Sequence, residues 1–250
     1  MIYWNGCSFV QGMELVHPME DGFPHLVSKH FNVKCRKQSK VGGSNERIFR
    51  TSTHYLATHN PTLAVFVWTT PNRFEYLAEG NLWRNAGWSS FGFDRRKLQI
   101  NPEFSQIVKH PDMTRQHHLG LSNYGIYVRN IRYNLIQTLT FINAMKKYCK
   151  ALDIPSLHYF VSKGQLTHAL HTLDEKYYEA TNIIWEEFSL NRQQWLELIP
   201  ELKTEDFYTM CQRHKVAFGP KDHPLEDGQQ LMADRIIKDI YDKELDKQIS

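Results

Sequence analysis

The chain has 250 residues, of which 30 are basic and 27 acidic, giving a formal net charge of +3. This near balance, with the basic residues dispersed, predicts no nucleic-acid partner. Hydrophobic residues make up 41% of the chain, enough for a core. No apolar run is long enough to cross a bilayer and no secretory leader is evident, so we expect a cytoplasmic protein without a membrane partner.

Cysteines and histidines give no metal-binding pattern. No C-x-x-C pair occurs, which excludes zinc-ribbon and thioredoxin motifs and favours a reduced setting. The pairs His117-His118 and His168-x-x-His171 lack carboxylate or cysteine partners at ligand spacing, and no His-Glu-x-x-His helix is present. We therefore expect neither a metal nor a cofactor.

The spacing of apolar residues predicts alternating strands and helices. Strands are expected at 2–6, 33–38, 63–68 and 157–161, and helices at 44–57, at 123–148 and in a C-terminal run from 231 to 245. No linker or low-complexity stretch divides the chain, which predicts one domain over residues 1–250. The alternation predicts a parallel α/β sheet with helices on both faces, whose ligands bind at the carboxyl ends of the strands.

Directly after the first strand, Gly6-Cys7-Ser8 has the pattern of a nucleophile turn. A serine hydroxyl at the end of a strand projects from the sheet edge, where backbone N–H groups can face an anionic intermediate. The same residues also suit a plain turn that caps the next helix. Cys7 is an alternative nucleophile, but adjacent side chains point to opposite faces, so only one of the two should face a pocket.

Far along the chain, His223 lies in a Gly- and Pro-rich loop that precedes the amphipathic C-terminal helix. Burial of the apolar face of that helix would fix the loop, as a general base requires. Two further segments come between these ends. Gly42-Gly43 opens the helix at 44–57, and the buried strand at 63–68 ends in the polar run Thr69-Thr70-Pro71-Asn72-Arg73.

In this order the four segments resemble the SGNH hydrolases, also called the GDSL family, and especially the SGNH-like proteins of tailed bacteriophages. The resemblance implies a flavodoxin-like three-layer sandwich with strand order 2-1-3-4-5. It also implies that Ser8, rather than Cys7, is the nucleophile and His223 the base. The oxyanion hole would be formed by Ser8, Gly43 and a side-chain donor, either Asn72 or Thr70.

Two of the blocks depart from the family pattern. The first reads Gly-Cys-Ser where the family has Gly-Asp-Ser. In the last, the acid of the family lies three residues before the histidine, and here that position is Pro220. We therefore predict a Ser8–His223 dyad whose imidazole is oriented by a backbone carbonyl. A triad completed by Asp222 is the alternative.

Two segments exceed this plan and are expected to be insertions, at about 74–122 and 163–218. The first is rich in aromatic residues and should border the entrance to the site. Arg73, Trp83 and Trp88 are candidate substrate-binding residues, because aromatic faces with polar neighbours suit sugar or acyl groups, although core packing also explains tryptophans.

The predicted function is acyl transfer to water by a serine esterase, with an O-acylated carbohydrate as the favoured substrate. The alternative is a non-catalytic carbohydrate-binding or virion-associated protein on the same scaffold. If the chain is phage-encoded, it would act in the host cytoplasm or the virion. An enzyme acting on nucleotides is disfavoured, because no G-x-x-x-x-G-K-[ST] motif is present.

Overall fold

The computed structural model describes residues 1–78, 82–87, 131–164 and 190–249, together with Leu166 and Leu170. Its strands are β1 (Ile2–Asn5), β2 (Cys35–Lys37), β3 (Leu63–Trp68), β4 (Arg73–Ala78), β5 (Leu82–Gly87) and β6 (Ser156–Phe160). Four of them form a parallel sheet in the order β2-β1-β3-β6, and β4 and β5 form a separate antiparallel pair.

The described helices are α1 (Ser8–Gln11), α2 (Phe23–His30), α3 (Asn45–Leu56), α4 (Ile131–Ala151), α5 (Arg192–Leu198), α6 (Phe207–Arg213), α7 (Glu226–Asp242) and α8 (Asp246–Ile249), with a 3-10 turn at Pro200–Lys203. Side chains alternate across the sheet because successive residues of a strand point to opposite faces. Trp4 packs into one core with α2, α6 and α7, and Tyr3 packs into a second core with α3, α4 and α5. The result is three layers.

The predicted fold class is confirmed by this sheet and its helical layers. The six residues of β3 have the predicted bounds and are all buried, as expected for a central strand of a parallel sheet. The sheet order corresponds to 2-1-3-4, and a fifth parallel strand does not occur among the described residues. The C-terminal helix begins at Glu226 rather than 231, because Glu226 and Asp227 provide acidic groups that favour a helix N-terminus.

The hairpin of β4 and β5 was not predicted as such and opens the first proposed insertion. It begins shortly after β3 ends and packs against α3. There the Glu75 carboxylate contacts Arg50 at 2.9 Å, and the Glu75 N–H donates to Glu46 at 2.6 Å. Residues 88–122 and most of 165–189 lie outside the described residues, so the extent of both insertions and the single-domain organisation stay predictions.

No helix in the described ranges is long and apolar enough to span a bilayer. Those ranges also contain no group of three or more residues suited to hold a metal ion. His117, His118, His168 and His171 lie outside them. The four cysteines, Cys7, Cys35, Cys149 and Cys211, are free thiols.

His158 is a buried histidine of the parallel sheet, and the sequence predicts no role for it. His158 on β6 is 4% exposed, accepts a hydrogen bond at Nδ1 from Trp68 Nε1 at 3.1 Å, and lies 3.1 Å from Ser156 Oγ through Nε2. Burial, aided by the charges of Lys146 and Lys243, lowers the pKa of His158 to about 3. The imidazole is therefore neutral in the folded protein at neutral pH.

This burial predicts a loss of stability in mild acid. The unfolded imidazole titrates near 6.5, so between that pH and about 3 the unfolded chain binds one more proton than the folded chain. The contribution of the neutral His158 to the free energy of unfolding is complete above pH 6.5. It decreases as the pH is lowered, by about 2 kcal/mol at pH 5. Urea unfolding at pH 7.5 and pH 5 should show this loss in the wild type and less of it in His158→Gln. Equal pH dependence in both proteins would contradict the assignment.

Candidate active site

The turn after β1 is held from several sides. Asn5 Oδ1 accepts the N–H of Gly6 at 2.9 Å, and Lys37 Nζ donates to the carbonyl of Gln11 at 3.1 Å, at the end of α1. Gly12 closes this single helical turn in the left-handed region, with φ 78°, and its N–H donates to the Ser8 carbonyl at 3.1 Å. These contacts fix the position of the Ser8 hydroxyl.

Ser8 and His223 meet, as the sequence predicted, although 215 positions separate them. The distance from Ser8 Oγ to His223 Nε2 is 2.7 Å, which allows proton transfer between them. The Phe9 ring lies 5.5 Å from the imidazole. Cys7 is 1% exposed and belongs to the core, so Ser8 is the residue of this pair that faces the histidine.

The other nitrogen of the imidazole faces Glu14. His223 Nδ1 lies 2.9 Å from Glu14 Oε2, and both side chains are 12% exposed. The prediction that a backbone carbonyl orients the imidazole is therefore wrong. A carboxylate occupies that position, which completes a Ser–His–Glu arrangement.

Asp222 does not occupy the third position either. Its backbone has φ 59°, its N–H donates to the Gly219 carbonyl at 3.0 Å, and the residue is exposed at the tip of the loop. Neighbouring side chains diverge in such a turn, so an acid adjacent to the histidine cannot easily reach Nδ1. Glu14 does reach it, from a segment in which both Gly12 and Glu14 itself (φ 73°) have a left-handed backbone.

The environment of Glu14 favours its charged form. Burial alone would raise its pKa, but hydrogen bonds from the Lys221 N–H and from the His223 side chain and N–H, with the charge of His223, lower the pKa below 4.5. A carboxylate that accepts several hydrogen bonds is held ionised in this way. Glu14 is thus suited to stabilise an imidazolium.

The predicted oxyanion residues lie at the same edge of the sheet. Ser8 begins α1, and the N–H groups of a first turn have no acceptor within the helix. A Cβ on Gly43 would lie 3.3 Å from the Gly6 carbonyl oxygen, so Gly43 is next to the nucleophile turn. Its N–H already donates to the Lys40 carbonyl at 2.9 Å, so an oxyanion would have to share this donor.

The two candidates for the third donor follow β3, the neighbour of β1 in the sheet. Thr70 Oγ1 is buried and has no hydrogen-bond partner in the part of the chain that the structure describes. A buried hydroxyl without a partner is costly unless a ligand or water satisfies it. Asn72 lies two residues further on, half-buried in the turn before β4. The unmet hydroxyl favours Thr70 over Asn72.

The structure gives less on the predicted substrate-binding residues. Arg73 begins β4, is half-buried, and has one guanidinium nitrogen buried without a partner among the described residues. Trp83 lies on β5, where its backbone pairs with Leu77, but its side chain lies outside the description. Trp88 lies outside the described residues altogether.

No protein-family model and no curated protein matches the chain. Among solved structures, the chain is similar to the esterase EstA from Pseudoalteromonas sp., inhibited by monoethylphosphonate, at 11% identity and a TM-score of 0.48, over 96% of both chains. It is similar to a lipolytic protein of the G-D-S-L family from Veillonella parvula DSM 2008, at 14% identity and a TM-score of 0.45, over 95% of this chain and 96% of the other. It is also similar to a lipolytic protein of the G-D-S-L family from Desulfitobacterium hafniense DCB-2, at 10% identity and a TM-score of 0.46, over 95% of this chain and 97% of the other.

Two of these three structures are of G-D-S-L family proteins, the family that the sequence resembles, and the likeness is one of architecture. The bacteriophage branch stays a prediction. At 10–14% identity, the chemistry must be argued from the contacts of Ser8, His223 and Glu14 in this chain.

Proposed function

We propose that the protein is a serine hydrolase that cleaves carboxylic esters. The observation that carries the proposal is one continuous line of contacts, from Ser8 Oγ to His223 Nε2 at 2.7 Å and from His223 Nδ1 to Glu14 Oε2 at 2.9 Å. A hydroxyl, an imidazole and a carboxylate in this order convert a weakly nucleophilic serine into an effective nucleophile.

In the proposed reaction, His223 Nε2 takes the proton of Ser8 as Oγ attacks the ester carbonyl carbon. The resulting imidazolium gives this proton to the leaving alcohol oxygen when the ester bond breaks, which leaves an acyl group on Ser8. Water then attacks the acyl-enzyme, His223 takes its proton and returns it to Ser8 Oγ, and the carboxylic acid is released. Glu14 remains ionised throughout and stabilises each imidazolium.

The negative oxygen that develops in each tetrahedral intermediate needs donors. We assign this role to the N–H groups of Ser8 and Gly43 and to the Thr70 hydroxyl, with Asn72 as the alternative third donor. Loss of one such donor commonly costs about 3 kcal/mol of transition-state stabilisation.

The preferred substrate is an O-acylated carbohydrate, because the sequence after β3 carries Arg73, Trp83 and Trp88, and aromatic residues with polar neighbours suit sugar recognition. The cytoplasmic location and phage origin likewise stay predictions from the sequence. The competing function is a non-catalytic carbohydrate-binding or virion-associated protein.

A fluorophosphonate probe tests the proposal directly, because it reacts covalently with serines activated as nucleophiles. Peptide mass spectrometry of the labelled wild type should place the adduct on Ser8, and His223→Ala should label at least about 100-fold more slowly, since the base is missing. Folded wild-type protein that remains unlabelled would contradict the hydrolase and favour the binding function. An adduct on Cys7 would contradict the assignment of the nucleophile.

A further inference from the structure

The loop that carries His223 is held by different contacts at its C-terminal end and at its tip. At its C-terminal end, Gln229 is fully buried, donates to the Pro224 carbonyl at 3.0 Å and accepts the N–H of Phe23 at 3.1 Å. This bond ties the end of the loop to α2. The tip of the loop has a different anchor.

That anchor is the carboxylate of Glu14. The Lys221 N–H donates to Glu14 Oε1 at 2.9 Å and lies 3.1 Å from Oε2, and the His223 N–H donates to Oε2 at 3.2 Å. Two backbone N–H groups of one turn therefore converge on one anion, in the manner of the concave backbone sites that bind anions elsewhere. The imidazole contact of Glu14 is a third, separate bond.

The internal bonds of the loop leave these two N–H groups for Glu14. Within residues 217–225, the Gly219 N–H donates to the His223 carbonyl at 2.9 Å, the Asp222 N–H to the Gly219 carbonyl at 3.0 Å, and the Leu225 N–H to the Ala217 carbonyl at 3.0 Å. Without the carboxylate, the N–H groups of Lys221 and His223 would lose their acceptor while Asp222 still holds an unfavourable positive φ.

We propose that Glu14 is the positioning residue of the histidine loop: its carboxylate sets the conformation of residues 219–223, independently of its contact with the imidazole. The nucleophile and this anchor lie six positions apart in one segment, so the loop takes its catalytic position from the segment that carries Ser8. The inference rests on the proposed function and deepens it, but the effect of Glu14 on the conformation of the loop does not depend on catalysis.

Glu14→Gln separates the two roles of the side chain. A glutamine oxygen in the place of Glu14 Oε2 keeps the acceptor of the His223 N–H and of the imidazole. The amide nitrogen then takes the place of Oε1, the nearer acceptor of the Lys221 N–H. The neutral amide cannot stabilise an imidazolium as a carboxylate does. Glu14→Ala removes the acceptor and the charge together. Glu20→Ala is the matched control, because Glu20 is an exposed acid in the same segment.

The experiment measures hydrogen exchange of the Lys221 and His223 amides together with kcat and KM for p-nitrophenyl acetate. In Glu14→Ala, we expect both amides to exchange at least about tenfold faster. In Glu14→Gln, exchange of the His223 amide should stay within about threefold of the wild type, because its acceptor oxygen remains. We expect kcat of Glu14→Gln to fall by about 1,000-fold or more with little change in KM. Glu20→Ala should match the wild type in amide exchange and in kinetics.

Unchanged exchange in Glu14→Ala would overturn the inference, and so would equal acceleration of the His223 amide in Glu14→Gln and Glu14→Ala. If Glu14→Ala does not fold, Glu14→Asp replaces it, because a side chain one methylene shorter withdraws the acceptor from the loop. Wild-type protein without esterase activity, but with the expected exchange pattern, would contradict the proposed function and leave the positioning role supported.

Discussion

Ser8→Ala is expected to lower kcat/KM for p-nitrophenyl acetate by about 10,000-fold or more, because the substitution removes the atom that forms the acyl-enzyme. Among the described residues, the Ser8 hydroxyl contacts only His223, at 2.7 Å, and Cys7 Sγ, at 3.9 Å. Loss of these contacts should change the free energy of unfolding by less than about 1 kcal/mol. Steady-state kinetics and urea unfolding of the same preparation separate the two quantities.

Ser39→Ala is a suitable control for this variant. Ser39 also carries a hydroxyl near α1, which donates to Gln11 Oε1 at 2.8 Å, but it has no place in the proposed reaction. Its activity should stay within about threefold of the wild type. If Ser8→Ala keeps more than a tenth of the wild-type activity, Ser8 is not the nucleophile and the proposed reaction fails.

The fold was predictable where one local signal was sufficient. Six consecutive apolar residues predicted β3, and the apolar stripe of α7 predicted the C-terminal helix. The hairpin of β4 and β5 was missed because its sequence mixes charged, aromatic and small residues without clear alternation. Its pairing and its Glu75–Arg50 contact with α3 are tertiary features that local patterns do not encode.

The candidate site was predictable only in part. Ser8 and His223 each had a local sign, a turn after a strand and a loop before an amphipathic helix, and their resemblance to family blocks joined them. The resemblance does not point to Glu14, because the acid of the family lies in front of the histidine. A sign was present: Gly12 and Glu14 follow the nucleophile within six residues, and a carboxylate that close to a nucleophile turn is a candidate acid.

The choice between Thr70 and Asn72 could not be made from the sequence. The sequence left Thr70 and Asn72 open as oxyanion donors, because both are polar and both follow β3. Only burial separates them, since Thr70 Oγ1 is enclosed without a partner in the described part of the chain. Whether a polar atom lacks a partner is set by packing from distant segments, which the sequence of a single strand end does not contain.

Gly219→Ala is expected to lower kcat/KM by about 100-fold while leaving the protein folded. A Cβ at this position would lie 2.7 Å from both Cδ and Oε1 of Glu14, closer than such atoms can approach. The carboxylate is the end of a flexible side chain, so it should move rather than the backbone. A displacement of about 1 Å at a catalytic contact costs activity on this scale.

Gly164→Ala is the matched control, because a Cβ on Gly164 meets no atom of the described residues within 4 Å. Both variants should keep a thermal unfolding midpoint close to that of the wild type, and only Gly219→Ala should lose activity. This pairing tests the position of the Glu14 carboxylate without changing its charge or its length. Equal activity of Gly219→Ala and Gly164→Ala would show that catalysis does not depend on where this carboxylate lies, which would remove Glu14 from the proposed mechanism.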